Sequence, residues 1–325
     1  MASSMHLCSH LPTTHFHQTN PTPTSTPLFF LKTPQISFTK PSIISPKLTI
    51  SPLSSKGIYN FTPKASMTEV NSQKGSLGSF EIFDSEETVA ISLAKYTAEL
   101  SEKFVNSRGF FTVVVSGGSL IKSLRKLVEA PYVDSIDWSK WHVFWVDERV
   151  VPKDHPDSNY KLAYDGFLSK VPILPDNVHA INDTLPTKEA AEEYEIRLKQ
   201  LVDSSVLATS PTTGFPKFDA MLLGMGPDGH VASLFPGHPL VKEDKKWVTH
   251  IMDSPKPPPE RITFTFPVIN SSAYIALVVC GAGKAGIVKS ALGGENQSSE
   301  VLPVQMVSPE GELKWFLDKD AASLF

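Results

Sequence analysis

The chain has 325 residues, long enough for one large domain or two small ones, and an ordinary globular composition. Its 30 basic and 34 acidic residues give a formal net charge of −4. No apolar run reaches the roughly 18 residues of a membrane span. Two cysteines, Cys8 and Cys280, are too few for a disulfide framework or a thiolate zinc site.

The first 66 residues differ in composition from the remainder. They are rich in Ser, Thr and Pro, contain five lysines, and no acidic residue precedes Glu69. This pattern is typical of an organellar transit peptide, and the absence of arginine favours the plastid; a disordered tail is the alternative. We predict a transit peptide over residues 1–66 and a catalytic domain over residues 67–325. Removal of residues 1–66 would take away five lysines and no acidic residue, so the formal net charge would change from −4 to −9. A protein this acidic is a poor candidate for nucleic-acid binding.

Helical and strand patterns alternate along the body. Helices are predicted near residues 85–105, 120–127, 158–170 and 188–202, and strands at 110–115, 141–146, 218–223, 247–252, 261–266 and 273–280. Asp84 is the expected N-cap of the first helix. The strand at 261–266 alternates and should have one polar face. The alternation of strands and helices predicts an α/β fold with a mostly parallel sheet.

Residues 222–237 carry a carboxylate and an imidazole at the end of a strand. Residues 224–229 match the dinucleotide pattern G-x-G-x-x-G, but that pattern opens a long helix in the first βαβ unit. Here Pro236 would stop any helix after about two turns. Asp228 and His230 suit general-base chemistry better, because histidine titrates near neutrality. A hydrogen-bonded loop histidine is the alternative.

Three further clusters follow apolar strands: Ser-Gly-Gly-Ser at 116–119, Asp-Glu-Arg at 147–149, and Gly-Ala-Gly-Lys at 281–284. Each has a plain alternative, such as an ordinary connection or a solvated ion pair. If the strands are parallel, their carboxyl ends meet in one crevice. A glycine turn with Arg and Lys suits a phosphate dianion, and the nearby Asp and His suit water activation.

Other chemistries are not indicated. No Gly-x-Ser-x-Gly elbow predicts an acyl-enzyme, and the histidines lack the spacing of metal ligands. The residues alone therefore leave two hypotheses about function open, a sugar-phosphate enzyme and a sugar-phosphate binding protein.

Several motifs in order resemble the 6-phosphogluconolactonase family, over about residues 80–320. They are residues 116–119, 147–152, 157–160, 224–237, 261–263 and 281–285. With its leader, the chain resembles the plastid members found in plants. The resemblance implies a Rossmann-like fold shared with glucosamine-6-phosphate deaminases. It also implies hydrolysis of 6-phospho-D-glucono-1,5-lactone to 6-phospho-D-gluconate in the oxidative pentose phosphate pathway, in the chloroplast stroma, without metal or cofactor.

The resemblance also implies roles for individual residues. His230 would deprotonate the attacking water, supported by Asp228. Arg149 and Lys284 would hold the phosphate, close to the turn of Gly117, Gly118 and Ser119. Arg261 would be structural or a charge at the rim. The expected partner is a small phosphorylated lactone, with no nucleic acid and no membrane, and a monomer is favoured.

Two alternatives remain from the sequence. A glucosamine-6-phosphate deaminase would resemble Asp-Glu-Tyr at the second motif and continue to Phe-Asn-Glu-Pro after the histidine. This chain has Arg149 and Ala-Ser-Leu-Phe-Pro at 232–236, which favours the lactonase. A non-catalytic binding protein is disfavoured, because such a protein usually lacks a catalytic residue. Here Asp228, His230, Arg149 and Lys284 are all present.

Overall fold

The computed structural model describes residues 73–75, 78–293 and 301–324. All of them belong to one compact unit, residues 64–325. The predicted transit peptide lies outside the described residues. Within the described ranges, no helix combines the length and apolar character required to cross a membrane.

Strands and helices alternate along the described chain. The strands are β1 Gln73–Gly75, β2 Gly78–Phe83, β3 Phe111–Val115, β4 Trp141–Trp145, β5 Asp147–Arg149, β6 Val178–His179, β7 Ala208–Thr209, β8 Pro216–Lys217, β9 Ala220–Gly224, β10 Val248–Ile251, β11 Arg261–Phe264, β12 Tyr274–Val279 and β13 Glu312–Asp318. The α-helices are α1 Glu86–Arg108, α2 Ser119–Ser123, α3 Tyr132–Ser135, α4 Asn159–Gly166, α5 Thr187–Asp203, α6 Phe266–Asn270 and α7 Ala285–Leu292.

An eight-stranded sheet forms the centre, in the order β1-β2-β13-β12-β9-β3-β4-β6. β1 pairs antiparallel with β2, and every other neighbouring pair in this sheet is parallel. The four strands predicted to carry functional clusters are β12, β9, β3 and β4, which lie side by side. The prediction of a mostly parallel sheet is therefore confirmed, and the four carboxyl ends share one edge.

Both faces of the sheet are buried. Successive residues of β9 enter different core clusters, Leu222 on one face and Met221 and Leu223 on the other, as the pleat of a strand requires. Val89 of α1 packs in the cluster of the first face, and Tyr194 of α5 in that of the second. A rigid two-sided core therefore supports the edge where the clusters meet.

Phe111 tests the packing of this core. Its ring is fully buried and lies 5.1 Å from the ring of Trp141, centroid to centroid. We expect Phe111→Ala to lower the free energy of unfolding by about 3–5 kcal/mol, because a cavity is added to the lost apolar contacts. Ile91→Ala is the matched control, since Ile91 is 46% exposed on α1. Equal shifts of the guanidinium midpoint in both variants would contradict this packing.

The predicted N-cap of the first helix was wrong by one residue. Ser85, and not Asp84, has the extended backbone of a cap, and its Oγ accepts a hydrogen bond from the N–H of Thr88. The Thr88 hydroxyl accepts in turn from the N–H of Ser85, at 3.0 Å. This reciprocal pair satisfies two N–H groups at the helix start.

A smaller antiparallel sheet, in the order β10-β11-β5, adjoins the central one. Val146 links the two sheets, because its N–H donates to Val115 of β3 and its carbonyl accepts from Phe264 of β11. All four residues of β11 are buried, so its predicted polar face is turned into the protein. β5 and β11 bring Arg149 opposite Arg261 at the end of β4.

Candidate active site

A cavity of about 310 Å³ lies at the carboxyl ends of the four central strands. Six of the predicted site residues line it: Gly117, Gly118, Ser119, Arg149, His230 and Lys284. The seventh, Asp228, contacts His230. The predicted convergence of the four clusters is thus observed, whereas the chemical roles of these residues remain predictions.

The central pair consists of Asp228 and His230. Asp228 Oδ1 lies 2.6 Å from Nδ1 of the imidazole. The turn that presents the pair is closed by the N–H of Gly226 on the carbonyl of His230, and Gly229 takes a positive φ of 81° within it. An ionised carboxylate can only accept, so the proton lies on Nδ1 and Nε2 carries the free lone pair.

The surroundings keep Asp228 charged and His230 neutral. Burial raises the pKa of Asp228, but hydrogen bonds from Lys256 and His230 outweigh it and bring that pKa to about 2. Burial lowers the pKa of His230, the Asp228 carboxylate raises it, and the Lys256 ammonium lowers it, leaving it below its ordinary value. A neutral imidazole is the form that can accept a proton.

Gly226 allows the imidazole to lie against the backbone. A Cβ added there would lie 2.0 Å from His230 Nδ1 and 2.6 Å from Asp228 Oδ1. Both separations are far inside van der Waals contact. Any side chain at this position would therefore displace the pair.

The turn after β3 is held close to the first residue of α4. A Cβ on Gly117 would lie 1.8 Å from Oδ1 of Asn159, so this position also requires glycine. The Ser116 hydroxyl accepts from the N–H of Gly224, which ties the turn to β9. The predicted helix is shorter than expected, because the five residues of α2 continue as a 3₁₀ helix, Leu124–Val128. An anion would therefore be bound by the backbone N–H groups of the turn and not by the N-terminus of a long helix.

Arg149 and Lys284 are two of the four cationic side chains that line the same cavity, and Lys256 and Arg261 are the others. Arg149 donates through Nη1 to the carbonyl of Asp157 at 2.7 Å, and its Nε is buried without a hydrogen-bond partner among the described residues. Leaving a buried donor unpaired is costly, which suits a site completed by an anionic ligand. Lys284 donates to the carbonyl of Met225 at 2.7 Å, and burial lowers the pKa of its ammonium.

Glu148, between Asp147 and Arg149, does not line the cavity. Its carboxylate accepts from the N–H groups of Arg149, Asn159 and Tyr160, each at 2.7 Å. Burial raises the pKa of Glu148 to about 7, although these three hydrogen bonds lower it. This carboxyl group anchors the start of α4, so the charged cluster contains one structural member.

The sequence analysis missed Lys256, which belongs to the proline-rich loop between β10 and β11. Its Nζ lies 2.9 Å from Asp228 Oδ1 and 3.1 Å from His230 Nδ1. A lysine among prolines was the only sequence signal. Arg261 also lines the cavity, but it is 3% exposed and donates to the carbonyls of Lys256, Pro257 and Pro258. These contacts favour the structural role over a charge at the rim, and both roles remain predictions.

Residues 84–315 match the profile of the family described as glucosamine-6-phosphate isomerases/6-phosphogluconolactonase. The chain is 67% identical over 258 residues to the chloroplastic 6-phosphogluconolactonase 3 of Arabidopsis thaliana, covering 79% of this chain and 78% of that one. The crystal structure of 6-phosphogluconolactonase from Thermotoga maritima is 28% identical, with a TM-score of 0.62 over 74% of this chain and 99% of that chain.

A monomeric glucosamine-6-phosphate deaminase shares the fold. It matches with a TM-score of 0.61 at 21% identity, over 76% of this chain and 99% of that chain. The predicted deaminase-like architecture is confirmed by this likeness together with the parallel sheet.

Proposed function

The chain belongs to the glucosamine-6-phosphate isomerase/6-phosphogluconolactonase family, and we propose that His230 activates the water that opens its substrate. The activity is hydrolysis of 6-phospho-D-glucono-1,5-lactone to 6-phospho-D-gluconate, the second step of the oxidative pentose phosphate pathway. Like its Arabidopsis relative, the protein is chloroplastic. Residues 1–66 are proposed to be the removed transit peptide, which N-terminal sequencing of the plastid protein tests.

One observation carries the mechanism: the hydrogen bond between Asp228 and His230 leaves Nε2 free on a histidine that lines the cavity. Nε2 takes a proton from water as the water oxygen attacks the lactone carbonyl carbon. The ring C–O bond then breaks, and the imidazolium returns the proton to the leaving oxygen. Asp228 stays ionised and stabilises the imidazolium. A positioned base of this kind is worth about 10²–10⁴-fold in rate.

The phosphate lies away from the reacting carbon and serves as the anchor. Arg149 and Lys284 supply positive charge, and the turn at residues 117–119 supplies N–H donors. Because the phosphate is bound before and during the reaction, its binding energy holds the lactone carbon against the water. The protein is proposed to act as a monomer on this small substrate.

Lys284 tests the anchoring role. We expect Lys284→Ala to raise KM by about tenfold to a hundredfold, the value of a charged hydrogen bond, with little change in kcat. Lys289→Ala is the control, since Lys289 is an exposed lysine of α7 that does not line the cavity. A fall in kcat at unchanged KM would instead assign Lys284 to the chemical step.

The decisive experiment is hydrolysis of freshly generated 6-phosphogluconolactone by the full chain, measured against the spontaneous rate. Fast turnover supports the proposal. Release of ammonia from glucosamine 6-phosphate would favour the deaminase alternative, which Arg149 and residues 232–236 argue against. Binding of 6-phosphogluconate with only spontaneous hydrolysis would identify a binding protein.

A further inference from the structure

We propose that Lys256 is a positioning residue that keeps His230 a neutral base, and that the buried Arg261 clamps the loop which carries it. This inference rests on the proposed role of His230. It assigns a function to a loop that the mechanism above does not use.

The contact geometry fixes what Lys256 can do. Its ammonium lies 2.9 Å from Asp228 Oδ1 and 3.1 Å from His230 Nδ1. Nδ1 already carries the proton shared with Asp228, so the ammonium cannot donate to it. The favourable partner of Lys256 is therefore the carboxylate, and its charge acts directly on the imidazole.

That charge offsets an effect of the carboxylate. A neighbouring anion raises the pKa of a histidine, which would leave part of the base protonated and inactive near neutrality. Burial is the largest influence and lowers the pKa of His230; two anions raise that pKa, Asp228 in contact and Asp147 further away, and the Lys256 ammonium acts with burial against them. Lys284 faces Lys256 and Asp228 from the β12 side. Removing Lys256 therefore leaves burial alone to oppose the two carboxylates, and the pKa of His230 should rise.

The loop is held by hydrogen bonds on both sides of Lys256. Arg261 Nη2 donates to the carbonyls of Lys256 at 2.8 Å and Pro257 at 3.0 Å, and Nε donates to that of Pro258 at 3.0 Å. The Ser254 hydroxyl donates to the Lys256 carbonyl at 2.9 Å and accepts from its N–H at 3.3 Å. The Arg261 guanidinium therefore donates its hydrogen bonds to backbone carbonyls of the loop, and its rigid planar geometry fixes the position of Lys256.

Lys256→Met tests the ammonium, because it removes the charge from a side chain that is about one-third exposed. In the full chain we expect the pKa of His230, followed by NMR and identified by its absence in His230→Gln, to rise by about one pH unit or more. The acidic limb of the kcat/KM profile, which reports the base of the free enzyme, should shift equally, about a tenfold loss below that pKa, with KM little changed. Lys245→Met is the control and should shift neither.

A raised KM with an unmoved His230 titration would assign Lys256 to substrate binding and overturn the proposal. The titration needs no turnover, so it separates this inference from the proposed function. A shifted His230 titration in a protein without lactonase activity would contradict the proposed function but still support the positioning role of Lys256.

Arg261→Lys tests the clamp, because it keeps the charge but lacks the rigid planar fork of donors that spans the three carbonyls. We expect the same upward shift of the His230 titration, smaller than in Lys256→Met. Ser254→Ala loosens the same loop without altering a buried strand and serves if the Arg261 variant does not fold. If both variants fold and titrate like the wild type, the clamp is not required.

Discussion

His230→Ala is expected to lower kcat by about 10²–10⁴-fold while KM stays close to the wild-type value. The reason is that Nε2 is used on the attacking water, whereas the phosphate is held by other residues. The bound substrate should therefore be unaffected and the chemical step should slow. Steady-state kinetics corrected for spontaneous lactone opening measure both constants.

The matched control for this variant is His250→Ala. His250 is a half-buried histidine in β10 that does not line the cavity. Its replacement should leave both constants unchanged. A large rise in KM at nearly constant kcat for His230→Ala would mean that the histidine anchors the substrate. The base would then have to be sought elsewhere.

Gly226→Ala is expected to reduce kcat almost as much as loss of the imidazole, without removing any catalytic atom. The added Cβ would lie 2.0 Å from His230 Nδ1 and 2.1 Å from Cε1. Because no real Cβ approaches a ring so closely, the imidazole must rotate or the turn must open. Nε2 then leaves the position from which it reaches the water, and such misplacement costs on the order of 10²-fold.

The comparison variant is Gly286→Ala in α7, where an added Cβ meets nothing within 4 Å. It should fold and turn over like the wild type. Circular dichroism and the unfolding midpoint of Gly226→Ala must stay near wild type for the result to bear on the site. Normal kcat in a folded Gly226→Ala protein would show that the pair does not depend on this close approach.

The sequence was sufficient for the parts of the site that follow strands. Four apolar runs predicted β3, β4, β9 and β12, and parallel pairing then required their ends to meet. Side chains such as Arg149 and Lys284 could be placed because each comes within five residues of a strand end. The apolar pattern of the four strands and the rule that parallel strands end at one edge of a sheet were enough to predict this part of the site.

The sequence was insufficient where tertiary contacts decide. Lys256 stands 28 residues after Asp228, and only the folding of a loop over the cavity brings the two together. The sequence alone did not distinguish the position of Asp147 from that of Glu148, because it did not predict strand β5. Side chains alternate along a strand, so Asp147 lines the cavity while Glu148 turns into the protein.

The pairing of β2 with β13 has a consequence for biogenesis. Phe80 and Trp315 are partners in register although 235 positions separate them. A chain that emerges from its amino end exposes β2 long before its partner exists, and such distant pairings form slowly. Until β13 arrives, the open edge of β12 can pair with another chain. We therefore expect a chain arrested short of β13 to be prone to aggregation.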